Sequence, residues 1–330
     1  MKWPTDYRRL RGPVLRSVSR SFYLSLRFLP KALRDPLSLA YLLARATDTI
    51  ADTPEPDAAL RAEALRNLAS AIQGEAPRET AGRLRDFFAP LQSDRSERAL
   101  IEALPAALEW LGALEESDRG EVRSVLDKIT RGQTLDLERF GSGGVRALSS
   151  AAELDEYTYL VAGCVGEFWT RLCFAHVNKF SDRPEPVMRE LGVQYGKGLQ
   201  LVNILRDAGS DLQQGRCYFP MDELHAAGVT PTEILKNPER VEPVLRPWRE
   251  KAERGLEAGV DYACAIRSRR VRFATALPAL IGARTLKLLR EAGPGALERK
   301  VKVPRDEVRR MILSGAIASP RSLRSSFKKL

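Results

Sequence analysis

Residues 37–52, with the sequence LSLAYLLARATDTIAD, form the stretch that decides the fold class of this chain. Nearly all of its residues are apolar or small. The polar exceptions follow one another at spacings of 4, 3 and 4, and they are Tyr41, Arg45, Asp48 and Asp52. Because residues three and four apart lie on the same face of an α-helix, the stretch predicts a buried helix with one polar stripe.

A second stripe of the same design lies in residues 195–211, YGKGLQLVNILRDAGSD. Its acidic and amide residues follow one another at spacings of 3, 4 and 4, and they are Gln200, Asn203, Asp207 and Asp211. A single pair of helical carboxylates is most often a salt-bridge partner of a neighbour such as Arg45. Two such stripes in one chain instead favour a common purpose, because a carboxylate on a buried helix needs a cation, a partner or water.

The residue types in the two stripes indicate which cation they would bind. Carboxylates and amides without a histidine cluster suit Mg²⁺, which prefers oxygen ligands and retains water. Few protein ligands per ion leave positions free for diphosphate oxygens, and Arg45, Arg206 and Lys197 would neutralise the remaining charge. The stripes therefore predict a helical site that ionises an allylic diphosphate.

The rest of the chain carries the same helical signal. Apolar residues recur at helical spacing, and no convincing pair of strand patterns is joined by a hairpin turn, so the predicted fold class is all-α. The predicted helices are 7–28, 32–52, 57–73, 79–90, 95–111, 118–138, 152–178, 186–213, 243–267, 271–292 and 304–313. The turns between them are short and unlike interdomain linkers, so we expect one domain over residues 1–330, ending in a basic tail at about 314–330.

Composition and motifs exclude several function classes. Hydrophobic residues at 44% and charged residues at 29% are ordinary for a globular protein. Four cysteines without a CxxC pair and only two histidines support neither a zinc site nor a nucleophilic triad. A Walker A pattern and a completed GxGxxG are both missing. No apolar run is long enough to span a bilayer and no signal peptide is recognisable, so we expect a cytoplasmic protein without a transmembrane segment.

Basic residues are concentrated near the C-terminus. Residues 299–330 contain ten Lys and Arg against two acidic residues, in a chain whose net charge is +10. A solvated basic face is the commoner explanation of such a segment, and peripheral contact with an anionic membrane is the functional alternative. Aromatic residues are not interleaved with the charges, so no nucleic-acid partner is expected.

Five motifs, in this order, resemble those of the squalene/phytoene synthase family. They are SRSF at 19–22, DTIAD at 48–52, YTYLVAG at 157–163, NILRDAGSD at 203–211 and GRCYFP at 215–220. The resemblance runs from about residue 17 to about residue 290. It implies a single-domain isoprenoid-synthase-type helical bundle around a central apolar cavity, most like a bacterial squalene synthase and expected to be a monomer.

The resemblance also assigns roles to residues. By that resemblance, two or three Mg²⁺ ions would be held by Asp48, Asp52, Asn203, Asp207 and Asp211. The residues beside the diphosphate would be Ser19, Ser21, Phe22, Tyr41, Arg45, Gln200, Asn203 and Arg206. Tyr157 would assist proton or diphosphate departure, and Arg45 and the four aspartates complete the implied catalytic set.

The implied reaction is the head-to-head (1'-1) condensation of two farnesyl diphosphates through presqualene diphosphate to squalene, with reduction by NADPH. The segment VKVPR at 301–305 is similar to a family segment that contacts NADPH, which would assign that contact to Lys302 and Arg305. Pro304 stands where that segment has an arginine, and DTIAD is less acidic than the family's usual motif. The alternatives are a phytoene synthase acting on geranylgeranyl diphosphate, or a dehydrosqualene synthase, both without NADPH, and a catalytically silent prenyl-binding or assembly protein.

Overall fold

The structure is a computed structural model that describes residues 5–19, 26, 29–141, 143–315 and 319–330. Helices account for most of these residues, which confirms the predicted all-α fold class. Contacts between residues group the chain into two compact units. The single domain predicted from the sequence stays a prediction, and each unit is described by itself.

Unit 1 comprises Met1–Ser142 together with Ala175–Val177. Its helices are α1 Thr5–Arg9, α2 Leu15–Ser19, α3 Lys31–Asp52, α4 Ala58–Gln73, α5 Glu79–Phe88, α6 Arg95–Glu102, α7 Leu104–Gly112 and α8 Glu116–Phe140. A π-helical turn at Leu10–Val14 joins α1 to α2. The central helix is α3, which packs on α4, α7 and α8 and buries Leu39, Leu42, Leu43 and Ile50 completely.

The Asp94 side chain determines where α6 begins, and Pro105 explains why a separate helix follows it. The Asp94 carboxylate accepts a hydrogen bond from the backbone N–H of Ser96 at 2.7 Å, so Asp94 is the N-cap of this helix. The sequence predicted one helix over 95–111, but the chain forms two, which meet at Ala103. Pro105 in the first turn of α7 explains the division, since proline has no N–H to continue a preceding helix. The cap places Glu97 in the first turn of α6.

Unit 2 comprises Gly143–Phe174 and Asn178–Leu330. Its elements are β1 Arg146–Leu148, α9 Ala151–Thr158, α10 Cys164–His176, α11 Glu185–Gln213, β2 Arg216–Pro220, α12 Met221–Ala226, α13 Glu242–Ala265, α14 Arg269–Ala292, α15 Arg305–Gly315 and α16 Pro320–Lys329. The last two residues of α10 group with unit 1. A π-helical turn at Tyr159–Gly163 joins α9 to α10, and α13 and α14 pack on the central helix α11.

Helix α11 meets its neighbours backbone to backbone at glycines. A Cβ atom at Gly166 of α10 would lie 1.9 Å from the carbonyl oxygen of Gly192 on α11. A Cβ atom at Gly198 would lie 2.7 Å from the Cα of Gly255 on α13. Both distances are far below van der Waals contact, so only glycine permits these crossings.

We expect Gly166→Ala to lower the free energy of unfolding by about 1–3 kcal/mol, because the new methyl group must push α10 away from α11. Urea unfolding followed by circular dichroism measures the change. The control is Gly120→Ala in α8, an exposed helical position with no atom within 4 Å of the added Cβ, which should be neutral or slightly stabilising. Equal urea midpoints for wild type and Gly166→Ala would contradict the backbone-contact interpretation.

Two short parallel strands were not predicted from the sequence. Strand β1 pairs with β2 in the register Arg146↔Arg216 and Ala147↔Cys217. With three residues in β1, the pair is too short to produce an alternating pattern in the sequence. The pairing fixes the motif GRCYFP at 215–220, whose Tyr218 is buried in unit 2.

The basic tail also differs from expectation, because it contains helix α16. Its Leu323 is 2% exposed and packs on Ala263, Ala276 and Leu280 of unit 2. Phe327 and Leu330 are partly buried against the same cluster. The apolar side of α16 is therefore used within the protein, and its exposed basic residues are Arg321, Arg324, Lys328 and Lys329.

Among the described residues, no helix combines the length and apolar character required to cross a bilayer.

Cys164, Cys173 and Cys217 are buried free thiols, and burial raises the pKa of Cys173 and of Cys217. The Cys173 and Cys217 thiols are therefore protonated near neutral pH.

Candidate active site

The first polar stripe is present on helix α3 of unit 1. Tyr41, Arg45 and Asp48 are partly exposed and Asp52 is exposed, whereas their neighbours along the helix are mostly buried. The Tyr41 hydroxyl donates to the backbone carbonyl of Val18 at 3.0 Å. The structure thus brings all four predicted residues of this stripe onto one accessible face.

The electrostatics of this stripe centre on Arg45. Its guanidinium donates through Nη1 to Asp48 Oδ2 and through Nη2 to Glu97 Oε1. The Asp48 side chain is 41% exposed, but the protein around its carboxylate is the main cause that raises its pKa, followed by the negative charges of Asp52 and, more weakly, Glu97. These effects outweigh Arg45 and raise the pKa of Asp48 to about 6.

A cavity of about 360 Å³ lies beside this stripe within unit 1. It is lined by Ser17, Val18, Ser19, Tyr41, Arg45, Asp94, Ser96 and Glu97. Three of these residues, Ser19, Tyr41 and Arg45, were predicted to border the diphosphate. Ser19 is buried, and its hydroxyl donates to the carbonyl of Leu15. The predicted Ser21 and Phe22 lie outside the described residues.

Sequence reasoning missed Asp94 and Glu97. The signal DRSE at 94–97 is typical of a helix start, in which an acidic residue three positions after the N-cap supports the cap. Asp94 does cap α6, but Glu97 contacts Arg45, 52 residues earlier in the chain. A contact between residues this far apart leaves no periodic trace in a single sequence.

The second polar stripe is present on helix α11 of unit 2. The predicted residues Gln200, Asn203, Arg206, Asp207 and Asp211 are all partly exposed. Leu201, Val202, Ile204 and Leu205 between them are buried. Asn203 Nδ2 donates to Gln200 Oε1 at 3.4 Å, so the two amides contact one another along the stripe.

The surroundings of Asp207 lower the pKa of its carboxyl group, whereas those of Asp48 raise it. Arg206 Nε donates to Asp207 Oδ1 at 3.0 Å, and Lys300 Nζ lies 3.7 Å from the same oxygen. Burial raises the pKa of Asp207, but the hydrogen bond and charge of Arg206, with Lys300, outweigh it and lower the pKa. Asp207 is therefore ionised and already paired with cations, and Lys300 is a further residue that the sequence did not reveal.

Tyr157 lies on α9, buried beside Tyr218 of β2. The ring centroids are 5.0 Å apart and the planes are stacked, while the two hydroxyl oxygens are 3.4 Å apart. Lys197, suggested from the sequence as a diphosphate counter-charge, pairs instead with Asp155 at 2.6 Å. Asp155 also accepts from Lys251 at 2.9 Å.

The predicted NADPH residues lie in the segment before and at the start of α15. Lys302 lines a cavity of about 310 Å³ together with Arg299, Lys300, Glu291 and the apolar Leu288, Ala292 and Val301. The three clustered cations suit a phosphate group, and Glu291 offsets part of their charge. Arg305 is the exposed first residue of α15. Contact of either residue with NADPH stays a prediction.

The carboxylates fit a magnesium–diphosphate complex better than an all-protein metal cage. Within the described ranges, no group of three His, Cys, Asp or Glu side chains is arranged to hold a metal ion. Each stripe offers two aspartates on one helix face, and the pKa of Asp48 is raised by burial and by the negative charge of Asp52, which a divalent cation would offset. Mg²⁺ commonly takes one or two carboxylates and fills its other positions with water and phosphate oxygens.

Comparison with known proteins identifies the family. The model of the squalene/phytoene synthase family matches residues 15–307, and the chain belongs to that family. The bifunctional lycopene cyclase/phytoene synthase of Gibberella fujikuroi is 27% identical over 317 residues, which cover 91% of this chain and 51% of that protein. The squalene synthase of Saccharomyces cerevisiae is 28% identical over 219 residues, covering 63% of this chain and 44% of that protein. The chain thus spans about half the length of these curated relatives.

A solved structure supports the fold assignment. The complex of TcSQS with the ligand BPH1237 superposes with a TM-score of 0.77 at 20% sequence identity. The match covers 99% of this chain and 90% of that chain. The resemblance inferred from five short motifs is therefore confirmed, both at the level of the family and at the level of the fold.

Proposed function

We propose that this chain is a Mg²⁺-dependent prenyltransferase that joins two prenyl diphosphates head to head. The observation that carries the proposal is the pair of polar stripes, each with two aspartates flanked by an arginine and with buried apolar residues between them, in a member of the squalene/phytoene synthase family. A silent binding or assembly protein has no need of this carboxylate set. Release of pyrophosphate from a prenyl diphosphate, dependent on Mg²⁺, is the primary test.

The residues of both stripes would share the work of diphosphate departure. Asp48, Asp52, Asn203, Asp207 and Asp211 would hold the magnesium ions, which when bound stabilise negative charge on the leaving group. Arg45 and Arg206 supply N–H groups for phosphate oxygens. Gln200, Ser19 and Tyr41 would add polar contacts to the diphosphate, and by resemblance Ser21 and Phe22 would lie beside it.

Tyr157 would assist proton or diphosphate departure in the first half-reaction. It is buried, and its hydroxyl lies beside that of Tyr218, so a proton on one oxygen can be passed to the other. The buried apolar residues that flank both stripes keep water from a reactive carbocation. These roles together describe ionisation, carbon–carbon bond formation and protection of the cation.

The specific reaction that we propose is conversion of two farnesyl diphosphates to squalene through presqualene diphosphate, with NADPH contacted by Lys302 and Arg305. The support is the partial match of VKVPR at 301–305 and the cationic cavity at Lys302. A phytoene or dehydrosqualene synthase is the second candidate, because phytoene synthases occur among the relatives. Gas chromatography with mass spectrometry of the products from farnesyl and geranylgeranyl diphosphate, with and without NADPH, separates the two.

The exposed basic face of α16 should attach the protein reversibly to anionic vesicles. We expect the triple variant Arg321→Ser, Lys328→Ser, Lys329→Ser to bind vesicles of anionic lipid about a hundredfold more weakly, at about 1 kcal/mol for each charge. Co-sedimentation at low and high salt measures the binding. Substitution is preferable to deletion of the tail, because Leu323 contributes to the core of unit 2.

The control for the vesicle experiment removes three exposed arginines from unit 1, by Arg66→Ser, Arg78→Ser and Arg83→Ser. It changes the net charge equally, so it should bind as wild type does if α16 is the contact. Equal binding of wild type to neutral and anionic vesicles, or equal weakening by both triple variants, would argue against an α16-directed contact.

A further inference from the structure

The Arg45 guanidinium in unit 1 is shared between two carboxylates on different helices. Nη1 donates to Asp48 on its own helix α3, and Nη2 donates to Glu97 in the first turn of α6. Arg45 and Glu97 are 36% and 28% exposed, so both side chains are partly withdrawn from solvent. Both also line the cavity of about 360 Å³ beside the stripe.

This sharing matters once a cation binds to Asp48 and Asp52. The bond from Arg45 occupies Oδ2 of Asp48, one of the carboxylates that would hold the magnesium ion. A guanidinium with Asp48 as its single partner would compete with the ion, because leaving a half-buried charge unpaired is costly. A second carboxylate on the other side of the guanidinium removes that competition.

We propose that Glu97 is a positioning residue that retains Arg45 at the cavity when Asp48 is given up to the metal ion. Nη2 would stay on Glu97, and Nη1 would be available to donate to an anionic oxygen of the substrate. Glu97 acts through Arg45 and does not itself bind the metal. This inference rests on the proposed function, since it concerns how the same stripe accepts Mg²⁺ and diphosphate.

The first experiment measures Mn²⁺ binding in the presence of inorganic pyrophosphate, from the loss of the electron paramagnetic resonance signal of free Mn²⁺. We expect Glu97→Gln to weaken Mn²⁺ binding by about tenfold, the size of effect seen when a residue that orients a ligand is removed. The matched control is Glu102→Gln at the end of the same helix, where the Glu102 carboxylate lies 3.7 Å from Nη2 of the exposed Arg9. This control removes the same charge as Glu97→Gln, and it should bind Mn²⁺ as wild type does.

A double-mutant cycle with Arg45→Gln separates positioning from direct ligation. If Glu97 acts through Arg45, adding Glu97→Gln to the Arg45→Gln protein changes Mn²⁺ affinity less than about twofold. If Glu97 ligates the metal, the loss is the same in both backgrounds and the inference is overturned. Thermal unfolding of all variants verifies that each is folded.

Asp48→Asn distinguishes failure of this inference from failure of the proposed function. Loss of Mn²⁺ binding in Asp48→Asn, with Glu97→Gln equal to wild type, would retain the metal site and overturn the role of Glu97. A wild-type protein that binds no Mn²⁺ with pyrophosphate would overturn the metal site itself, and the role of Glu97 with it.

Discussion

Turnover should fall by about a thousandfold or more in Asp48→Asn and in Asp207→Asn. Each substitution removes one negative oxygen from a polar stripe, and a metal ion that stabilises a leaving diphosphate contributes several kcal/mol to the rate. Pyrophosphate release from farnesyl diphosphate at saturating Mg²⁺ measures the effect. The control is Asp86→Asn on α5, an exposed aspartate paired with Arg85, which should retain full activity.

The stability of the same variants should separate metal chemistry from folding. Asp48 carries a raised pKa, because burial and the charges of Asp52 and Glu97 disfavour its ionised form. Asp48→Asn removes this repulsion, so without metal the variant should be as stable as wild type or more stable above pH 6. Asp207→Asn loses a partly exposed pair with Arg206, which costs about 1 kcal/mol or less.

Activity and stability together decide the interpretation of these variants. Near-wild-type turnover in either variant would remove that stripe from the metal site. A loss of activity that accompanies a large fall in melting temperature would instead place the aspartate among the residues that maintain the fold. The expected combination is inactive protein whose stability is unchanged or higher in Asp48→Asn and lower by about 1 kcal/mol or less in Asp207→Asn.

The polar stripes were predictable because a helix repeats its faces every three to four residues. The structure puts Asp48 and Asp207 on accessible faces of helices whose apolar residues beside the stripes are buried, as the spacing predicted. Glu97 and Lys300 could not be found in this way. Each reaches its stripe from another element, 52 residues from Arg45 in one case and 93 from Asp207 in the other.

Helix α16 was also not predicted, although in this case the sequence did contain the signal. Leu323, Phe327 and Leu330 follow one another at spacings of 4 and 3, the pattern of one helix face. The basic residues around them favoured a solvated tail instead. The packing of Leu323 in unit 2 shows that three apolar residues at helical spacing outweighed the surrounding charge.

Withholding NADPH should abolish squalene formation while farnesyl diphosphate is still consumed. Ionisation and cyclopropane formation need no reductant, whereas the final carbocation must gain a hydride to become squalene. Presqualene diphosphate or its solvolysis products should therefore accumulate. Gas chromatography with mass spectrometry, after phosphatase treatment, detects both. Lys302→Ala should slow the reductive half alone, since Lys302 lines a cavity whose three clustered cations suit a phosphate group.

The first half-reaction serves as an internal control for the second, because both are measured in the same sample. Consumption of farnesyl diphosphate should be equal in wild type and Lys302→Ala, and only the ratio of squalene to presqualene diphosphate should fall in the variant. Lys236→Ala, an exposed lysine elsewhere in unit 2, should change neither quantity. If the same triene forms with and without NADPH and no squalene is found, the final cation loses a proton instead of gaining a hydride. The product assignment then passes to dehydrosqualene or, with geranylgeranyl diphosphate as substrate, to phytoene, and Lys302 loses its proposed role.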